Sequence, residues 1–139
     1  MKILGLDIGD VWTGTALSDA LGMFARPLKT VPSDELESFL THILTQEKIS
    51  TIVVGMPVTM KGTQSEQTKK IIAQKESLEK EYRIVKWILW DERLSSKRAS
   101  THKKQNTKDD KIASHSIAAA YILESYLTYN HTMQNINND

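Results

Sequence analysis

Three acidic positions and one basic run in this chain have the residue types that phosphate chemistry uses. Asp7 lies inside an otherwise apolar segment, Lys2 to Ile8 (KILGLDI), immediately ahead of Ile8-Gly9. A carboxylate there loses hydration unless a cation or several hydrogen-bond donors meet it. A bound metal ion is one such partner, and the backbone amides of a hairpin turn are the other. Asp91 and Glu92 end a second apolar run, in Trp90-Asp91-Glu92-Arg93-Leu94-Ser95-Ser96. Side chains alternate along a strand, so only one of the pair can face the side that carries Asp7. The plain alternative is that Asp91 caps the following turn while Arg93 pairs with a neighbouring acid.

Two further segments could hold a substrate. The stretch Gly55 to Thr63 (GMPVTMKGT) leaves a strand and runs into a helix start, where free amides favour phosphate and Gly55 and Gly62 permit close backbone approach. Pro57 and Thr63 complete that candidate loop, although Gly and Pro also punctuate ordinary β-α connections. Between Ser95 and Lys111, the cations Lys97, Arg98, Lys103, Lys104, Lys108 and Lys111 are relieved only by Asp109 and Asp110. Such a run can grip a phosphate backbone or can simply be a solvated loop.

These residues need a scaffold. The chain has 139 residues, no cysteine and a formal net charge of +1. One domain with a sheet and covering helices fits that length, a second catalytic lobe does not, and thiol chemistry is excluded. No apolar stretch approaches the roughly 20 residues that cross a bilayer, and Met1-Lys2 leads straight into a strand, so a soluble, cytoplasmic protein is expected. Gly9 allows a hairpin between Lys2 to Ile8 and Thr13 to Ser18, and a third strand is expected over Ala25 to Val31. Pro32 to Glu35 supplies helix-start chemistry for a stripe of Leu36, Phe39, Leu40, Ile43 and Leu44, ending near Glu47. Thr51 to Gly55 reads as a central parallel strand. Thr63 and Glu66 have capping-box spacing for a helix from Gln64 to about Lys80. Arg83 to Trp90 reads as the last strand. Ile112, Ser116, Ala119, Ala120, Leu123 and Leu127 line one face of a final helix, which leaves residues 128–139 as a polar, frayed tail to a domain of residues 1–127.

LGLDIG, GMPVTMKGTQSEQT, DERLSS and IAAAYILESYL, in this order, resemble the YqgF family across Lys2 to Leu127. That family comprises nucleases assigned to small-subunit ribosomal RNA precursors and is also described as Holliday-junction-resolvase-like. The resemblance implies an α/β, ribonuclease-H-like fold with a mixed five-stranded sheet and helices on both faces. It implies metal-dependent hydrolysis of phosphodiester bonds, with Asp7 and Glu92 matching two family acids. The third family acid falls eight residues before Leu123, where this chain has His115. Asp110 is no simple substitute, because five residues turn a helix by about 140°. Magnesium prefers oxygen ligands, so His115 as a ligand favours manganese. The hairpin departs too, with Asp10-Val11-Trp12-Thr13 where the family carries basic residues.

The resulting expectation is a nuclease using Asp7, Glu92 and His115 with one or two divalent cations. Gly55, Pro57, Gly62, Thr63, Arg93, Ser95, Lys97, Arg98, Lys103 and Lys104 would hold precursor ribosomal RNA or branched DNA. The protein would be a monomer or a homodimer. Junction resolution, which needs two sites and hence a dimer, and metal-independent binding in ribosome assembly are the alternatives. An actin-like ATPase, prompted by Asp7-Ile8-Gly9 and Gly14, is disfavoured by length.

Overall fold

The computed structural model describes residues 1–57, 65–94 and 107–137. Strands β1 (Lys2–Ile8), β2 (Trp12–Ser18), β3 (Ala25–Pro32), β4 (Ile49–Met56) and β5 (Lys86–Asp91) form one five-stranded sheet in the order β3-β2-β1-β4-β5. The hairpin pairs β1 antiparallel to β2 and β2 antiparallel to β3, whereas β1, β4 and β5 run parallel. Helices α1 (Leu36–Gln46) and α2 (Glu66–Glu81) provide the crossovers, and α3 (Lys108–Asn137) closes the chain. The mixed sheet and the order of elements are as the sequence leads one to expect.

Strand alternation divides the core into two layers. Leu4, Leu6 and Ile8 of β1 and Ile52 and Val54 of β4 meet Leu36, Phe39, Leu40 and Ile43 of α1 and Ile71 and Leu78 of α2. On the other face, Ala16 and Val53 meet Ala119, Ala120, Ile122, Leu123 and Leu127 of α3. Helices therefore cover both faces.

Three local expectations are corrected. The cap of α2 is Ser65 with Thr68: Thr68 donates its backbone N–H to the Ser65 hydroxyl (3.2 Å), and the Ser65 N–H reaches the Thr68 hydroxyl (3.4 Å). Glu66 is then the first helical residue, and the box lies two residues later than the expected Thr63–Glu66 pair. The last strand starts at Lys86, not Arg83. The helix expected to fray after Leu127 continues to Asn137, and the His131 ring nitrogen bonds the Gly22 carbonyl at 3.0 Å, tying that extension to the β2–β3 turn.

The contact between α3 and the sheet is closer than ordinary side chains permit. A β-carbon on Gly14 would fall on the His115 carbonyl group and on the Ser116 amide, both backbone and unable to rotate away. A β-carbon on Gly5 would lie 2.9 Å from Leu123 Cβ and 3.2 Å from the Ala119 carbonyl oxygen. As the chain passes from Gly5 to Asp7, which pairs with Gly14, its neighbour on α3 moves from Leu123 back to His115, so α3 runs antiparallel to β1. Gly14→Ala is expected to cost about 3 kcal/mol, the upper end for overpacking a dense core, as read by urea denaturation. An unchanged midpoint would mean that α3 can lift off the sheet freely.

Candidate active site

Asp7 alternates with Leu6 and Ile8, which point into the α1/α2 layer, so its side chain belongs to the α3 face, near the carboxyl end of β1. It is half-buried. Glu92 begins the short turn Glu92–Leu94 after β5. Its carboxylate returns over the sheet onto the same face: a β-carbon on Gly55 would lie 2.8 Å from Glu92 Oε1 and 2.6 Å from Ile122 Cδ1. Gly55 pairs with Trp90 and directly follows Val54, the partner of Leu6. The row that carries Asp7 on β1 thus continues through Gly55 on β4 to the carboxylate of Glu92. Gly55 leaves room for that side chain.

Asp91 takes the other role open to the acidic pair. Its carboxylate accepts the Arg93 backbone N–H at 2.9 Å and forms a forked ion pair with the guanidinium, with Nη2 2.6 Å from Oδ2. This hydrogen-bonded partner raises the Arg93 pKa above its ordinary value. Arg93, expected to face substrate, is therefore held locally. The pair fixes the turn from which Glu92 projects.

A second restraint comes from α3. The Trp90 indole N–H donates to the Ser125 hydroxyl at 3.0 Å, and that hydroxyl donates onward to the Leu94 carbonyl at 3.0 Å. Trp90 also meets Tyr126 edge-on, with ring centroids 5.4 Å apart, and Tyr129 at 5.3 Å. Ser125 was not among the expected site residues. Its signal in the sequence is the need of a half-buried indole for a hydrogen-bond partner.

His115 belongs to the turn of α3 that rests on Gly14, opposite Asp7. It precedes Ile122 by two helical turns, about 10 Å, on the flank that reaches toward β4. The imidazole is half-buried. Among the described residues, no three His, Asp or Glu side chains gather closely enough to hold a metal ion. The fold places two carboxylates on one face, with the His115 turn opposite the first. Two carboxylates suit a hard divalent cation, and the Gly55 hollow gives one of them its place.

Pro57 is held by its carbonyl, which accepts the Thr68 hydroxyl and so joins the exit of β4 to the start of α2. Gly62, Thr63, Ser95, Lys97, Arg98, Lys103 and Lys104 lie outside the described residues. No helix among the described residues is long and apolar enough to cross a membrane.

Acidic residues at the carboxyl ends of parallel strands, behind an antiparallel hairpin and under a closing helix, define the class as a ribonuclease-H-like nuclease fold. The whole-chain likeness to RuvC from Thermus thermophilus in complex with a Holliday junction substrate agrees in fold, with a TM-score of 0.64 at 14% identity over 95% of this chain and 96% of that one. Residues 1–129 match the family described as "RuvX: Holliday junction resolvase", and the chain belongs to that family. A protein of onion yellows phytoplasma named "Putative pre-16S rRNA nuclease" is 40% identical over 134 residues, covering 91% of this chain and 88% of the relative. One of Clostridium tetani with the same name is 38% identical over 140 residues, covering 91% and 96%.

Ser125→Ala is expected to lower stability by about 1 kcal/mol, because the Trp90 N–H and the Leu94 carbonyl lose their shared partner. Urea unfolding followed by tryptophan fluorescence measures it, and an emission maximum unmoved by the substitution would remove the relay from the account.

Proposed function

We propose that this chain is a metal-dependent nuclease acting in the cytoplasm on the precursor of small-subunit ribosomal RNA, at its 5′ end. The observation that carries the reading is the Glu92 carboxylate over Gly55, on the face that bears Asp7. The names of the relatives support the substrate, and the family supports the hydrolytic chemistry.

Asp7 and Glu92 would hold the cation, and His115 would supply the position at which the motif's third acid stands. A divalent cation there would activate water for in-line attack at phosphorus and neutralise charge on the leaving oxygen. The protein's own contribution is orientation. β1 fixes Asp7, the Asp91–Arg93 pair and the Ser125 relay fix the turn that carries Glu92, and α3 covers the face from above. With Arg93 engaged by Asp91, substrate phosphates would depend on the loop after β4 and on Lys97 to Lys104 for countercharge.

A second reading, resolution of four-way DNA junctions, draws on the family description and demands a dimer with two sites. Cleavage of a precursor RNA by a monomer would decide against it, and cleavage of a junction by a dimer, with the RNA intact, would decide for it.

The expected result in a single-turnover assay is that Asp7→Asn and Glu92→Gln each slow cleavage by roughly a hundredfold or more, the scale seen when one charge-stabilising group is lost. Manganese should exceed magnesium, since imidazole favours the softer ion, and His115→Ala should abolish that preference. An undiminished rate for Asp7→Asn would sink the mechanism. Equal rates in the two metals would take His115 out of the ligand set.

A further inference from the structure

On the sheet face opposite the two acids, a cavity of about 300 Å³ opens between the β1–β2 turn, the turn that precedes α1, and α2. Its apolar base is Ile8 and Ile71, 3% and 4% exposed. Its walls carry Asp10, Asp34, Gln67, Lys70 and Gln74. None of these five side chains forms a hydrogen bond or ion pair with another described residue. The surrounding frame, in contrast, is fully tied. The Ser33 hydroxyl donates to the Gly9 carbonyl at 2.6 Å and meets the Thr13 hydroxyl at 2.9 Å, and the Ser33 N–H donates to Val11 at 2.8 Å. A rigid rim thus holds five uncommitted recognition groups around an apolar floor.

That combination selects a ligand. Two carboxylates repel a phosphate, and no group of three metal-ligating side chains occurs among the described residues. A flat, apolar-faced ring with both donors and acceptors on its edge satisfies every element of the cavity, and unstacked bases are recognised in this way on their edges. Among the bases, guanine presents neighbouring N–H donors for a carboxylate and a carbonyl oxygen for a lysine. The cavity volume is at the lower end for small-ligand sites, adequate for one base. Gly9, on its rim, follows Asp7 by two residues, about 7 Å of chain. From these observations we infer that the cavity receives an unpaired guanine of the substrate strand beside the scissile phosphate, making Asp10, Asp34 and Lys70 determinants of sequence preference. The inference rests on the nucleic-acid reading above. It also gives a use to the acidic hairpin turn, since Asp10 lines the cavity.

The test is direct binding of nucleosides to the full chain, metal-free, followed by amide and side-chain NH₂ shifts in two-dimensional NMR. Guanosine should move the Gly9, Gln67 and Gln74 signals at concentrations roughly tenfold or more below those needed for adenosine or uridine, the scale of one well-placed bidentate contact. Asp34→Asn and Lys70→Met, both at exposed positions, should erase the preference without shifting the core methyl signals. Absence of any nucleoside-induced shift at these residues, or equal shifts from all the nucleosides, would overturn the inference. Asp7→Asn should bind guanosine unchanged. Failure of cleavage and failure of base recognition are therefore read separately.

Discussion

The packing of α3 onto a floor without side chains is the constraint from which the rest of the site follows. Gly5 and Gly14 let the helix backbone come within contact of the sheet, and at Gly14 the neighbour is a carbonyl that no rotamer change can move. Dispersion energy falls steeply with small gaps, so such an approach is stabilising only while every position in the floor stays small. Ala16, Ala119 and Ala120 continue the same pattern. Beyond the last of these small residues along β1, the floor acquires a functional group, Asp7. The helix that seals the hydrophobic layer is thus also the roof over the first acid.

The same logic accounts for Glu92. A strand-end acid would ordinarily extend into solvent, where it keeps its hydration. Here the chain leaves β5 in a tight turn, Arg93 pairs back to Asp91, and Ser125 bonds Leu94 while accepting from Trp90. Each interaction alone is modest. They act on the same four residues, however, and their joint effect is to leave Glu92 little freedom except over the hollow at Gly55. A carboxylate that is already placed loses less entropy when it engages a ligand.

Much of this was legible from residue types. Strand alternation in Lys2 to Ile8 and the β-branched run Thr51 to Gly55 gave the hairpin and the central parallel strand, because both depend on local periodicity and on burial from one or two sides. The role of Asp91 was open on sequence, since capping and catalysis ask for the same side chain. That Gly55 makes room for Glu92 is not legible in the sequence, because a glycine after a strand carries no mark of what will occupy its missing side-chain volume. Ser125 escaped notice for a similar reason: its partners, Trp90 and Leu94, are distant in sequence. Helix length was misjudged because Thr128 to Asn137 is polar in composition, whereas its hold on the fold, His131 to Gly22, depends on tertiary placement.

The charge distribution around the acids sets the demand on everything that binds there. Asp7 and Glu92 lie on one face, Asp10 follows within three residues of Asp7, and the Arg93 guanidinium is engaged by Asp91. Ionised carboxylates repel a polyanion, so a phosphate reaches them only where that repulsion is offset. In the proposed mechanism a divalent cation would offset it at the point of chemistry. Under the proposed function, Lys97 to Lys104 would offset it along the backbone, with the dependence on salt that such contacts bring. Asp10 of the hairpin turn lines the opposite cavity, where a carboxylate is useful as an acceptor. The proposed division would separate what binds the backbone from what reads a base, with Asp7 and Gly9 only two residues apart at the end of β1.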